Sequence, residues 1–229
     1  MITARCHPQL EPLLPRPIPA RTGLPDWLRA MPSEAEAPLL GAPVRTLKHC
    51  PPFIDAMSFG VLLPLAADLV IENGEVSWSW DMPWLPDTLI PRAPVGLHLP
   101  QQAEGAPFRV AASTILKFMN FWTLEAPQCL SLLFTHPLNR EDLPFRTLGG
   151  LVDCDRFGDG YVHVPALWTD AGFTGMLPRG TPVAQVVAVP REGSELQVET
   201  MSEAQVAGNR ALQETLHAGR GVYRKAHRH

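Results

Sequence analysis

The sequence predicts a mostly β, single-domain fold, a jelly-roll-like sandwich or a related barrel, on three observations. At least seven short β-prone runs are separated by turn signals. The 229 residues include 25 prolines, which break any helix whose interior they enter. Strand and helix do not alternate regularly, which argues against a doubly wound sheet. Hydrophobic residues at 45% and charged residues at 18% are the balance of a chain that folds around a core rather than one that stays disordered.

Residues 1–43 carry nine prolines and little periodicity, so they read as an extended arm wrapped on the domain. Within the arm, "LPDWLRAMP" suits one turn of helix, with Asp26 at its acidic start and Trp27 and Leu28 as docking side chains. From Val44 onward the pattern reads as strands, and the core domain is assigned to residues 44–200. In "DLVIENGEVSWSW" the Asn73-Gly74 dipeptide between two β-prone runs is the strongest hairpin signal. Strand alternation would put Val76, Trp78 and Trp80 on one face.

"ILKFMNFWTL" and "QCLSLLFTH" read as two further strands, as do "YVHVP" and "TPVAQVVAVP". In the last, Gln185 shares a face with Val183, Val187 and Val189 and therefore needs hydrogen-bonding partners. "SEAQVAGNRALQETLHAG" fits a helix with a Ser202/Gln205 capping box and Gly219 as its stop, opening a C-terminal segment of residues 201–229. A basic tail follows, with Arg220, Arg224, Lys225 and Arg228.

A formal net charge of −4 gives no general footprint for nucleic acid, and no run is long and apolar enough for a membrane span. Cys6, Cys50, Cys129 and Cys154 are far apart, with no CxxC pair, and no apolar leader is present, so a reducing cytoplasm is expected. No GxGxxG, P-loop, GxSxG or HExxH motif occurs.

The candidate chemistry centres on "GGLVDCDRFGDGYVHVP", where Asp153, Asp155 and Asp159 crowd a short span between apolar runs. Aspartates form such turns by bonding local backbone amides, and a carboxylate at the same place can activate a water. His98, Gln101 and Gln102 in "HLPQQ", with His136 and His163, form a second constellation. Two histidines and a carboxylate on a rigid β scaffold can hold Fe(II), so a non-haem iron oxygenase using His98 or His163 with Asp153 or Asp155 is an alternative reading. Asp55, Asn120 and Asn139 are polar groups beside apolar neighbours that must be paired or reach a ligand.

"GGLVDCDRFGDGYVHVP" followed by "MLPRGTPVAQVV" resembles the trimeric dUTPase and dCTP deaminase superfamily, through Gly150, Asp153, Phe157 and Gly158, then Gly180, Ala184 and Gln185. "IDAMSFGVLLPLAADLVIENGE" is similar in layout to that superfamily's first motif. The resemblance implies a β-clip fold, a nucleotide-like ligand, Asp153 as the catalytic residue at the pocket's centre, and a homotrimer. The chain departs from the pattern where "HPLNREDLP" replaces the phosphate-cradling Pro-Arg-Ser segment, leaving Arg140 as its analogue, and no Gly-rich terminal arm is present.

A wider resemblance, to an uncharacterised family of phage and bacterial proteins, rests on "LPDWLRAMP", "LKHCPPFIDAMSFG", "LHLPQQAEG", "KFMNFW", "FTHPLNREDLPFRTLGGLVDCD" and "LPRGTPVAQVVAVPRE". It names no activity. The expectation is a small polar ligand in a pocket centred on Asp153 and lined by Asp55, His98, Gln102, Asn120, Asn139, Arg140 and Asp155, with no cofactor or metal assigned. A non-catalytic phage-type assembly protein is the remaining alternative.

Overall fold

The computed structural model describes residues 1–108, 115–193, 195–219 and 222–226. Its strands are β1 (Thr3–Cys6), β2 (Ile18–Pro19), β3 (Glu34–Ala37), β4 (Ala42–Arg45), β5 (Val61–Pro64), β6 (Leu69–Glu72), β7 (Glu75–Ser77) and β8 (Val95–His98). After these come β9 (Ile115–Phe118), β10 (Trp122–Glu125), β11 (Leu130–Thr135), β12 (Phe145–Thr147), β13 (Gly150–Val152), β14 (Val164–Trp168), β15 (Gly175–Leu177) and β16 (Pro182–Pro190). The α-helices are α1 (Asp26–Ala30), α2 (Pro51–Ser58), α3 (Glu203–Ala218) and α4 (Val222–Ala226).

Among the described residues the main sheets are five-stranded, in the order β13-β11-β16-β5-β2, and four-stranded, in the order β12-β14-β9-β8. Both are antiparallel throughout. Both contribute to one apolar core, with Leu63, Leu132, Phe134 and Val186 from the first and Leu116, Phe118, Phe145, Val164 and Trp168 from the second. Phe118 meets Phe145 edge to face with ring centroids 4.7 Å apart, a favoured aromatic geometry. Two sheets around one core make the mostly β, sandwich-like fold expected of the sequence.

A second cluster joins Leu10 and Leu14 of the N-terminal arm to Ala66, Met82, Leu85, Met119, Phe121 and Trp122. Truncating a fully buried leucine such as Leu10 to alanine costs about 2–5 kcal/mol, so the arm is held by burial. It also supplies strand pairing, through β1 on β10 and β2 on the edge of β5. Proline is tolerated at that edge because its missing N–H faces away from the ladder.

The Asn73-Gly74 turn joins β6 to β7 with both residues left-handed, φ 54° and 79°, as a two-residue hairpin turn requires. Ser202 and Gln205 cap α3 reciprocally, with Gln205 N–H donating to Ser202 Oγ at 3.3 Å and Ser202 N–H donating to Gln205 Oε1 at 2.8 Å. Contacts divide the chain into two compact units, Met1–Glu192 and Gly193–His229. Arg220 and Arg228 of the basic tail lie outside the described residues.

Four expectations are corrected. Residues 51–58, expected in a strand region, form α2, because Pro51 and Pro52 occupy the first helical positions, where a missing N–H costs nothing. "ILKFMNFWTL" is two strands, broken at Asn120, whose side chain bonds the backbone at Trp122. Trp78 and Trp80 lie beyond the end of β7 and pack against different clusters, so they do not share a strand face. The strand expected at "YVHVP" begins only at Val164, since residues 153–160 turn back on themselves through amides donating to Asp153 O and Phe157 O.

Candidate functional site

The acidic turn follows β13 at the edge of the five-stranded sheet. Ser131 Oγ, fully buried on β11, donates to Asp153 Oδ1 at 2.5 Å. Arg191, just past the end of β16, pairs with Asp155 through Nη2 and places Nε 3.2 Å from Asp153 Oδ1. The amide of Cys129, a residue in the left-handed region at φ 64°, donates to Asp155 Oδ2 at 3.3 Å. The Ser131 hydroxyl and then Arg191 hold the Asp153 carboxyl below the usual carboxylate range, and Arg191 does the same to Asp155.

An aspartate held ionised in this way is a weak proton acceptor. The cluster is chemically suited to fastening three strand ends together. Cys154 between the two aspartates is buried, and that burial pushes its thiol up to about 11.

The other expected residues fall into separate places. His98 ends β8 and its Nδ1 lies 3.2 Å from Gln102 Oε1, which also accepts the Leu99 amide at 2.9 Å, so this pair closes a local turn. Asn120 is buried, and its Nδ2 donates to Trp122 O at 2.7 Å and to Val162 O at 3.3 Å. Its backbone N–H donates to His163 Nδ1 at 3.2 Å, and burial lowers the pKa of that imidazole. Asp55 lies half-buried on α2. Among the described residues no three His, Cys, Asp or Glu side chains are grouped as a metal set.

Asn139 and Arg140 belong to a different constellation. An open cleft of about 460 Å³ is lined by Trp27, Phe53, Asn139, Glu141 and Asp142. Three segments distant in sequence meet there: α1 brings Trp27, α2 brings Phe53, and the turn after β11 brings the polar residues. Asn139 has φ 60°, a left-handed conformation that asparagine tolerates better than most side chains.

Arg140 fixes the cleft's polar wall with two parallel bonds, Nε to Asp142 Oδ1 at 2.8 Å and Nη2 to Asp142 Oδ2 at 2.9 Å. Burial raises the Asp142 pKa, but the Arg140 fork, with a smaller contribution from the Trp27 indole, outweighs it and leaves the carboxyl below its ordinary value.

Three other residues set the cleft's geometry. Fully buried Gln185 accepts the Leu138 amide on Oε1 at 2.9 Å and donates from Nε2 to Ala56 O at 2.8 Å and Phe59 O at 2.5 Å. One side chain of β16 thereby joins the end of α2 to the polar turn. His136 Nδ1 accepts the Thr147 amide at 3.2 Å, which assigns the proton to Nε2, 2.9 Å from Arg140 O. Lys48 Nζ donates to Arg29 O at 2.7 Å and Met31 O at 3.0 Å, capping the α1 carbonyls beside Trp27.

Sequence reasoning found the need for Gln185 partners but missed Arg191, Lys48 and the meeting of Trp27 with Phe53. The signals were a cation just after a strand and aromatics beside prolines, neither of which names a partner.

No protein-family model and no curated protein matches the chain. Two solved structures of the dUTPase from phage phi11 of S. aureus are similar to it, one of a mutant with a structural Mg(II) ion and one showing a species-specific insert. Each has 13% sequence identity and a TM-score of 0.28, and the match covers 48% of this chain and 98% of the dUTPase chain.

Proposed function

We propose that the chain binds a small, flat, unphosphorylated polar ligand, nucleobase-like in outline, in the cleft between Trp27 and Phe53. The observation that carries this reading is the lining: two aromatic side chains with Asn139, Glu141 and Asp142 around about 460 Å³. That volume falls in the range of roughly 300–1,000 Å³ that small-molecule sites occupy. Aromatic faces take up a planar ring, and an asparagine amide offers both donors and an acceptor to its edge.

A phosphate is disfavoured there, because among the described residues the lining holds no basic side chain and Arg140 is committed to Asp142. Asp153, Asp155 and Arg191 act in this reading as the fastening of the sheet edge. The cysteines Cys6, Cys50, Cys129 and Cys154 are all free thiols, which supports a reducing compartment, the cytoplasm.

A thermal-shift screen of nucleosides against nucleoside triphosphates tests the reading. A ligand that binds only the folded state adds about 2.7 kcal/mol of stability at a hundredfold excess over its dissociation constant. Nucleosides should raise the Tm and triphosphates should not. Trp27→Leu should abolish the shift, while Asp153→Asn should lower the starting Tm and keep the shift. A shift that survives Trp27→Leu and disappears in Asp153→Asn would return the site to the acidic turn and overturn the proposal.

A further inference from the structure

The charges of the cleft do not cancel. Asp142 is neutralised by the bidentate Arg140, whose side chain is only 12% exposed. Glu141 is exposed and takes part in none of the ion pairs among the described residues. The lining therefore presents one uncompensated carboxylate beside the Trp27 and Phe53 side chains. Aromatic faces carry the negative end of a quadrupole and attract a cation within about 6 Å of the ring centroid. Carboxylate and rings thus favour the same kind of guest.

Resting on the cleft reading above, we infer that the flat ligand is a small organic cation, an N-alkylated heteroaromatic ring, with Glu141 as its counter-ion and specificity-determining residue. A soft, weakly hydrated cation can surrender its water to Trp27 and Phe53. A hard metal ion cannot, because it requires several oxygen ligands in a defined shell, and Glu141 and Asn139 are the oxygen donors left once Asp142 is held by Arg140.

The test uses charge-paired probes on the full chain: choline against its neutral carbon isostere dimethylbutanol, and the N-methylpyridinium ion of nicotinamide against nicotinamide. Dissociation constants are read by calorimetry at low and high salt. The cations should bind about tenfold more tightly than their isosteres, and the preference should shrink at high salt. Glu141→Gln should remove most of the cations' preference over their isosteres, and Trp27→Leu should weaken all four. Neutral probes that bind as tightly as the cations and are lost in Trp27→Leu would overturn the cationic ligand and leave the cleft standing. Magnesium chloride that displaces choline beyond its effect as salt would overturn it too. Absence of binding by every probe while nucleosides still raise the Tm would overturn the cationic ligand alone, and absence of both would overturn both readings.

Discussion

Two side chains, buried Gln185 and half-buried His136, settle the polar wall of the cleft from behind. His136 can hold the turn only in its neutral form, because Nδ1 must accept the Thr147 amide. Burial lowers its pKa from the ordinary 6.5, and the same holds for His163 with the Asn120 amide. A group whose folded pKa is depressed is neutral in the native state over a range where the unfolded chain is already charged. Its contribution is therefore complete above pH 6.5 and is lost as pH falls below it toward the folded pKa. The carboxyls of Asp142, Asp153 and Asp155 are also depressed, from 3.8, so their contribution is lost in a second, more acidic stage. Denaturant midpoints measured against pH should accordingly fall in two steps. His136→Asn, which keeps an acceptor near Thr147, should flatten the first step, and an unchanged first step in that variant would remove His136 as its source.

At the scale of elements, the joint between α2 and β5 sets where Phe53 stands. Gly60 makes that joint with φ 80°, and a Cβ built there would lie 2.1 Å from Val186 O. Gly74 in the β6–β7 hairpin has almost the same φ, 79°, and open space around it. Alanine at Gly74 should cost about 1 kcal/mol, the conformational term alone. Alanine at Gly60 should cost at least about 3 kcal/mol, since β5 or β16 must shift to admit it. Equal midpoints for the two variants in chemical denaturation would show that the β5–β16 contact is not what fixes this joint.

The hairpin was legible because Asn73-Gly74 is a local signal. So was the helix at 203–218, from its capping box. The helix at 51–58 was hidden, since Pro51-Pro52 marks a helix start only if the next residues turn, and eight residues give little periodicity to read. The cleft was hidden for a different reason. Gln185 bonds Ala56 across 129 positions of sequence, and Arg191 reaches Asp155 across 36, distances over which no residue pattern specifies a partner.

For the whole molecule, the distribution of buried apolar surface predicts which part carries cooperative stability. Every member of both core clusters lies between Leu10 and Val186, inside the unit Met1–Glu192. In the unit Gly193–His229, α3 buries none of its residues, and Leu196, Val198 and Met201 are exposed. A 16-residue helix with no buried face is marginal in water even when capped. It should fray at temperatures where the β unit remains intact. A chain ending at Glu192 should therefore unfold in one cooperative transition with a Tm within about 3 °C of the full-length protein, because a domain of this size shifts by roughly 2–4 °C per kcal/mol. It should also keep the probe binding assigned to the Trp27–Phe53 cleft. The full chain should in turn lose helical ellipticity in a gradual, non-cooperative phase before that transition. A shortened chain that binds hydrophobic dye and lacks a cooperative transition would show that residues 193–229 complete the core, and the division of stability argued from burial would fall.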